Sequence, residues 1–165
     1  MKLIVADSSP LIVFARSELL PILRQMVGEI VVPQTVYEEC TGDMNKPGAK
    51  IIACAHQAGL LTVHRDSLVV ALPTNMPMLD KGEIAAISLA IELSEPILMD
   101  ERLGRQAATA HGLSVIGSAG ILIAAKRKGL IAAVHPILLV WQGFGYFLSS
   151  KLIAKVLERA GEQPA

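Results

Sequence analysis

The chain is nearly devoid of aromatic residues, with one Trp, two Tyr and three Phe among 165 positions. Its core must therefore be packed from Ile, Leu, Val and Ala, which make up most of the 52% hydrophobic content. It also lacks a charge imbalance, because 15 Lys and Arg face 15 Asp and Glu. No global field draws such a chain to nucleic acid or to an anionic membrane, which counts mildly against a polyanionic substrate. Cysteine is scarce. Cys40 and Cys54 lack metal-ligand spacing and read as reduced thiols of a cytoplasmic protein. No signal peptide is expected, since the apolar run after Lys2 is short and ends at Asp7. Gly129 to Ser150 holds no Asp, Glu, Lys or Arg and on length alone could span a membrane. His135-Pro136, Gln142, Gly143 and Gly145 interrupt it. A buried helix, or an apolar surface meeting a second chain, is expected there and no membrane span.

The stretch Leu3-Ile4-Val5-Ala6 reads as a short buried strand, and Ser9-Pro10 as a helix cap with proline in the first position. Asp7 then stands at the carboxyl end of a central-type strand, where open α/β sheets bind ligands. Helical spacing follows to Gly28, with a break near Ser17-Glu18. Glu29 to Val32 is a second strand, and Pro33 opens a helix carrying Glu38 and Glu39. A polar loop (Thr41 to Gly48), a helix (Ala49 to Ala58) and a third strand (Leu60 to Val63) come next. Arg65 to Asn75 carries no clear periodicity, and Pro73 and Pro77 suggest an exposed connection. Asp80 and Glu83 open a further helix in capping-box spacing, which accounts for both acids without any chemistry. Ile97 to Met99 is a fourth strand that runs directly into Asp100, itself an N-cap candidate for the next helix. Leu113 to Ile116 is a fifth, and Gly117-Ser118 starts a helix ending in Lys126-Arg127-Lys128. That triplet reads first as a solvated helix end complementing the dipole. Two more helices close the chain, the last capped by Ser149 or Ser150.

This alternation predicts an α/β three-layer sandwich with a mostly parallel five-stranded sheet flanked by helices. The length suits a single domain, here 1–162, with 130–162 a helical extension and 163–165 a frayed tail. Asp7, Glu39, Glu83 and Asp100 all fall just past a strand end or in the first turns of a helix. Carboxylates gathered in one crevice repel and raise one another's pKa unless cations neutralise them. Oxygen-only ligands favour Mg²⁺ or Mn²⁺ over zinc, and such ions support hydrolysis of a phosphodiester.

The series I-V-A-D-S-S-P-L at 4–11, V-V-P-x-x-V-Y-E-E at 31–39, L-D-K-G-E-I-A-A-I-S-L-A at 79–90, L-M-D-E-R-x-G-R at 98–105 and V-I-G-S-A-G-I-L at 115–122 resembles the PIN-domain nucleases. It is similar to a branch related to the VapC-type toxins of prokaryotic toxin–antitoxin modules. The resemblance covers nearly the whole chain and implies a Mg²⁺- or Mn²⁺-dependent endoribonuclease with an RNA substrate, a homodimer and an antitoxin partner. By position it implies Asp7, Glu39, Glu83 and Asp100 as catalytic and metal-binding acids, with Glu38 the register alternative. Ser9, Glu101 and Ser118 would support them. Glu83 stands where many relatives carry Asp. Lys81, Arg102, Arg105, Lys126, Arg127 and Lys128 are the RNA-binding candidates. A non-catalytic binding protein on the same fold is the rival. A receiver domain would need an acid before Asp7 and a lysine after the last strand, and Ala6 and Val115-Ile116-Gly117 supply neither. A haloacid-dehalogenase-type phosphatase would need an aspartate where Ser9 stands.

Overall fold

Leu3–Ala6 forms β1, buried from Ile4 onward, as an apolar run at the centre of a parallel sheet must be. The computed structural model describes residues 2–68, 72 and 78–163. Within them β1 leads into α1 (Ser8–Arg16), α2 (Leu20–Val27) and β2 (Glu29–Pro33). Helices α3 (Gln34–Thr41) and α4 (Ala49–Gln57) precede β3 (Thr62–His64). The second half runs α5 (Lys81–Leu93), β4 (Ile97–Leu98), α6 (Arg102–Ala110), β5 (Val115–Ile116) and α7 (Ser118–Arg127). Helices α8 (His135–Gly143) and α9 (Ser150–Arg159) follow. Pro73, Pro77 and most of the expected connection around them lie outside the described residues, as do 164–165 of the expected tail.

The five strands form one sheet in the order β3-β2-β1-β4-β5, every neighbouring pair parallel. With helices on both faces this is a three-layer α/β sandwich. Gly28 shows why the α2–β2 turn is so tight. Its φ is +82°, and a Cβ there would collide with the Lys2 carbonyl, so only glycine fits.

One boundary differs from the sequence expectation. Helix α1 starts at Ser8 with Asp7 in the cap position, not at Pro10 behind a Ser9 cap. Asp7 has the extended backbone of an N-cap, and Pro10 sits within the first turn, where its missing N–H leaves no intrahelical bond unmade.

The charge-free stretch is packed at its middle. Trp141 is fully buried, its indole N–H donating to Ser17 Oγ at 3.1 Å and its ring set edge-on to Phe14 and Tyr146. Leu139, Val140 and Phe147 remain exposed. Among the described residues no helix is long and apolar enough to cross a membrane. Both cysteines are free. Cys40 is buried, which pushes its thiol up to about 12 and leaves it inert, and Cys54 is exposed.

Candidate functional site

The strand order reverses beside β1: the chain proceeds outward through β2 and β3, then returns to pair β4 with the other edge of β1. Ligands of open α/β sheets sit at the carboxyl ends of the strands at such a switch point. Asp7 is the first residue past β1, and its amide donates to Leu98 O at 3.1 Å. Asp100 lies two residues past β4. The two acids therefore flank the crevice from adjacent strands.

Asp7 is 3% exposed, and its Oδ1 is buried with no hydrogen-bond partner among the described residues. Burial pushes its carboxyl up from 3.8 to about 7, against the opposing pull of the Ser8 amide and reinforced by Asp80, Glu39 and Asp100. Glu83, on the first turn of α5, is likewise buried, and its Oε2 also has no hydrogen-bond partner among the described residues. Burial, a side-chain hydrogen bond with Asp80 and the charges of Asp80 and Asp7 raise it to about 7. The capping box is present in full. Asp80 Oδ1 accepts from the Glu83 amide at 2.8 Å, and Glu83 Oε1 faces the Asp80 amide at 3.4 Å. The box uses only one oxygen of Glu83 and leaves the other bare.

Glu39 reaches the same helix end from α3. The Gly82 amide donates to its carboxylate, and burial and Asp80 raise its pKa. Glu38, exposed like Glu39, takes a different course and accepts from Gln34 Nε2 at 2.9 Å. Asp100 does not cap α6, where Glu101 holds the cap position without a side-chain bond and is exposed. It reaches across to α7 instead. The Ser118 amide donates to Oδ1 at 2.7 Å and the Ser118 hydroxyl to Oδ2 at 2.6 Å. Tyr146 adds a hydrogen bond and Arg105 a nearby positive charge, while burial outweighs them and raises the carboxyl. Gly104 lets α6 close over the site: a Cβ there would stand 2.8 Å from Glu83 Oε2 and 2.5 Å from Met99 Sδ.

The supporting and basic candidates divide. Ser118 is buried on Asp100, whereas Ser9 is exposed with no side-chain hydrogen bond among the described residues, and the Ser8 amide takes its place beside Asp7. Arg105 donates to Met99 O at 2.8 Å. Lys126 is held by Ala160 O at 2.8 Å and Glu162 at 3.1 Å, and Arg127 by Arg159 O at 3.2 Å. Lys81, Arg102 and Lys128 are exposed. Two residues do more at the site than the sequence pattern assigns them. Asp80 acts electrostatically on Asp7, Glu39 and Glu83 as well as capping, and Tyr146 bonds Asp100 from the charge-free stretch.

Residues 3–162 match the family model DUF3368, described as a PIN domain. The chain belongs to the PIN-domain family. PIN domains are a nuclease-type family. The chain is also similar to a PilT N-terminus domain protein from the hyperthermophilic archaeon Sulfolobus solfataricus P2, at 18% identity and a TM-score of 0.49 over 74% of this chain and 92% of that one. A domain of a functionally unknown protein from Methanocaldococcus jannaschii DSM 2661 is similar at 15% identity and a TM-score of 0.47, covering 71% of this chain and 91% of that one. No curated protein sequence matches significantly.

PIN nucleases generally use divalent metals, and the residues here can be tested for that fit. Among the described residues no three His, Cys, Asp or Glu side chains are already gathered as a metal site. The donor chemistry nevertheless suits a hard cation. Of the three buried carboxylate oxygens without a hydrogen-bond partner among the described residues, two, on Asp7 and Glu83, lie here and the third, on Glu92, lies elsewhere on α5. Such a bare oxygen costs free energy unless a proton or cation satisfies it. All the donors are oxygens, as Mg²⁺ and Mn²⁺ prefer.

Proposed function

We propose that this PIN domain is a Mg²⁺- or Mn²⁺-dependent endoribonuclease. The observation that carries the reading is the pair of unpartnered buried oxygens, Asp7 Oδ1 and Glu83 Oε2, at the switch point of the sheet. Asp7 and Glu83 would hold the cation, with Asp100 and Glu39 completing the acidic rim. When bound, it offsets the clustered negative charge and supplies Lewis-acid activation for phosphodiester hydrolysis. The protein's own part is positioning. Ser118 and Tyr146 fix Asp100, the Gly82 amide seats Glu39, and Asp80 aligns Glu83.

The direct test incubates mixed structured and single-stranded RNAs with the protein in Mg²⁺, Mn²⁺ or EDTA, beside Asp7→Asn. Metal-dependent cutting that the variant loses supports the reading. No cutting under any condition favours a PIN fold that binds RNA or protein without catalysis. One observation speaks for that alternative: the capping box and the Ser118 bonds give Asp80, Glu83 and Asp100 structural work already.

The same proposal makes the chain the toxin of a toxin–antitoxin module, acting in the cytoplasm as a homodimer. Exposed Leu139 and Val140 supply an apolar surface for a second copy or an antitoxin segment. Light scattering at micromolar concentration tests the dimer, and a monomer there removes it.

A further inference from the structure

Beside Asp100 the surface opens into a cleft of about 320 Å³ between α6, α7 and α9, lined by Arg105, Tyr146, Leu148, Leu152, Lys155 and Arg159 among others. Its volume lies at the small end of ligand-sized clefts. Three cations face it against the one carboxylate of Asp100, which is already bonded to Ser118 and Tyr146. Lys155 and Arg159 are exposed, and among the described residues their side chains have no hydrogen-bond or ion-pair partner. With Lys151 they recur every four residues along α9, a spacing that aligns them on one face of the helix. The cleft thus concentrates positive charge in a chain whose overall charge is zero. Phe147, between the lining residues Tyr146 and Leu148, is 88% exposed.

We propose that this cleft seats a backbone phosphate of a single-stranded polynucleotide next to the acidic crevice, with the Phe147 ring offered to a neighbouring base. Cations that track the backbone, together with an exposed aromatic ring, are the combination that binds single strands without reading sequence. The polarity follows from the layout. Asp100 lies on the boundary between acidic crevice and basic cleft, so a strand crossing it would place one phosphate among the acids and an adjacent one against Lys155 and Arg159. Arg105 also holds the Met99 carbonyl, so the two α9 cations are the cleaner probes.

The proposal rests on the nuclease reading, but its test does not require cleavage. A short, fluorescein-labelled 2′-O-methyl RNA is titrated with the full chain in EDTA, and anisotropy is followed across a salt series. Lys155→Gln/Arg159→Gln is expected to weaken binding about tenfold and to flatten the dependence of log K on log salt by roughly 0.7 to 1.4. Phe147→Ala should weaken binding about fivefold or more with the salt slope unchanged. Lys50→Gln, an exposed charge on α4, should alter neither. Wild-type binding and salt slope in the double variant would overturn the proposal. So would oligonucleotide binding that fails while an acidic peptide binds. If the wild type binds through this cleft yet cuts no RNA with any metal, the cleft stands and the nuclease reading falls.

Discussion

Both carboxylate oxygens of Glu39 lie within 2.6 Å of the point where a Cβ on Gly82 would stand. Gly82 is the second residue of α5, and its amide is the donor to that carboxylate. Glycine inside a helix costs up to about 1 kcal/mol against alanine, and here the missing side chain leaves the seat that Glu39 occupies. Gly82→Ala therefore separates fold from site, because the long Glu39 side chain can swing away while the helix gains. Thermal melting should show an unchanged or slightly higher Tm. Metal-dependent RNA cleavage should fall about tenfold or more, as for other groups that orient ligands. Full activity in this variant would remove Glu39 from the site.

The raised carboxyls of Asp7 and Glu83 give the metal-free protein an inverted pH response. Each has a folded-state value near 7, above its ordinary value of 3.8 or 4.5. Between about pH 4 and pH 7 the native state then binds more protons than the unfolded chain, so stability falls as pH rises through that window. The displacement at Asp7 alone corresponds to on the order of 4 kcal/mol, a large share of a typical domain's total stability. In EDTA, Tm should drop from pH 5 to pH 8. Adding Mn²⁺ should raise Tm more at pH 8 than at pH 5, and Asp7→Asn should flatten both trends. A metal-free Tm that climbs over this range would contradict the buried-acid account.

Asp100 is oriented by two different donors on elements that follow it in sequence. Ser118→Ala removes the 2.6 Å hydroxyl bond and keeps the amide bond, while Tyr146→Phe removes the phenol. Each loss is expected to cost about 1 kcal/mol of stability and to reduce cleavage severalfold. The double variant should lose more than the sum, since either donor partly holds the carboxylate when the other is gone. A double-mutant cycle on both Tm and cleavage rate measures the coupling, and strict additivity would show the two act independently.

Far from the acids, Glu162 fastens the end of the chain. Burial pushes its pKa up, but its carboxylate accepts from the Val134 amide at 2.7 Å, the His135 amide at 3.0 Å and Lys126 Nζ at 3.1 Å, which together outweigh burial and hold the pKa below the ordinary value. A depressed carboxyl contributes stability that is present above its unfolded pKa and lost as pH falls through its folded one. Glu162→Gln should cost about 1–2 kcal/mol at pH 7, some 2–8 °C in Tm for a chain of this length. The gap between variant and wild type should close below about pH 4, and cleavage at 25 °C should be unaffected.

These relationships differ in how far the sequence announces them. The position of Asp7 follows from a four-residue apolar strand with Ile4 and Val5 at its centre and a turn, all local signals. The Asp80–Glu83 box follows from a three-residue spacing. Asp100 reads locally as a cap for α6, yet its partners are Ser118, 18 residues on, and Tyr146, both set by how α7 and α8 dock. Glu38 and Glu39 are adjacent on α3, and their roles divide only because Gly82 of another helix approaches one of them. Lys126 carries the sequence pattern of a free basic helix end, but Ala160 and Glu162 consume it. Tyr146 was masked by an uncharged stretch that reads as plain core. Strand and capping signals lie within a few residues, whereas the second contacts of each site residue come from elements distant in the chain.

Asp80 tests whether its charge matters beyond its cap. Asparagine caps a helix about as well as aspartate, so Asp80→Asn should keep the bond from the Glu83 amide and leave Tm within about 1 °C, the small change expected when the cap is retained. What changes is the field on the neighbours. Asp80 raises the carboxyls of Asp7, Glu83 and Glu39, so its neutralisation lowers all three. Cleavage that needs these groups ionised should then reach half its plateau at a lower pH than in the wild type. The same loss of negative charge weakens the pull on a divalent cation, so the half-saturating Mn²⁺ concentration at pH 8 should rise. The two effects oppose each other at pH 6 and reinforce nothing at pH 8, which makes the pair of measurements diagnostic. A shifted pH profile with unchanged metal affinity would confine Asp80 to proton equilibria. An unchanged profile with normal folding would reduce it to a cap.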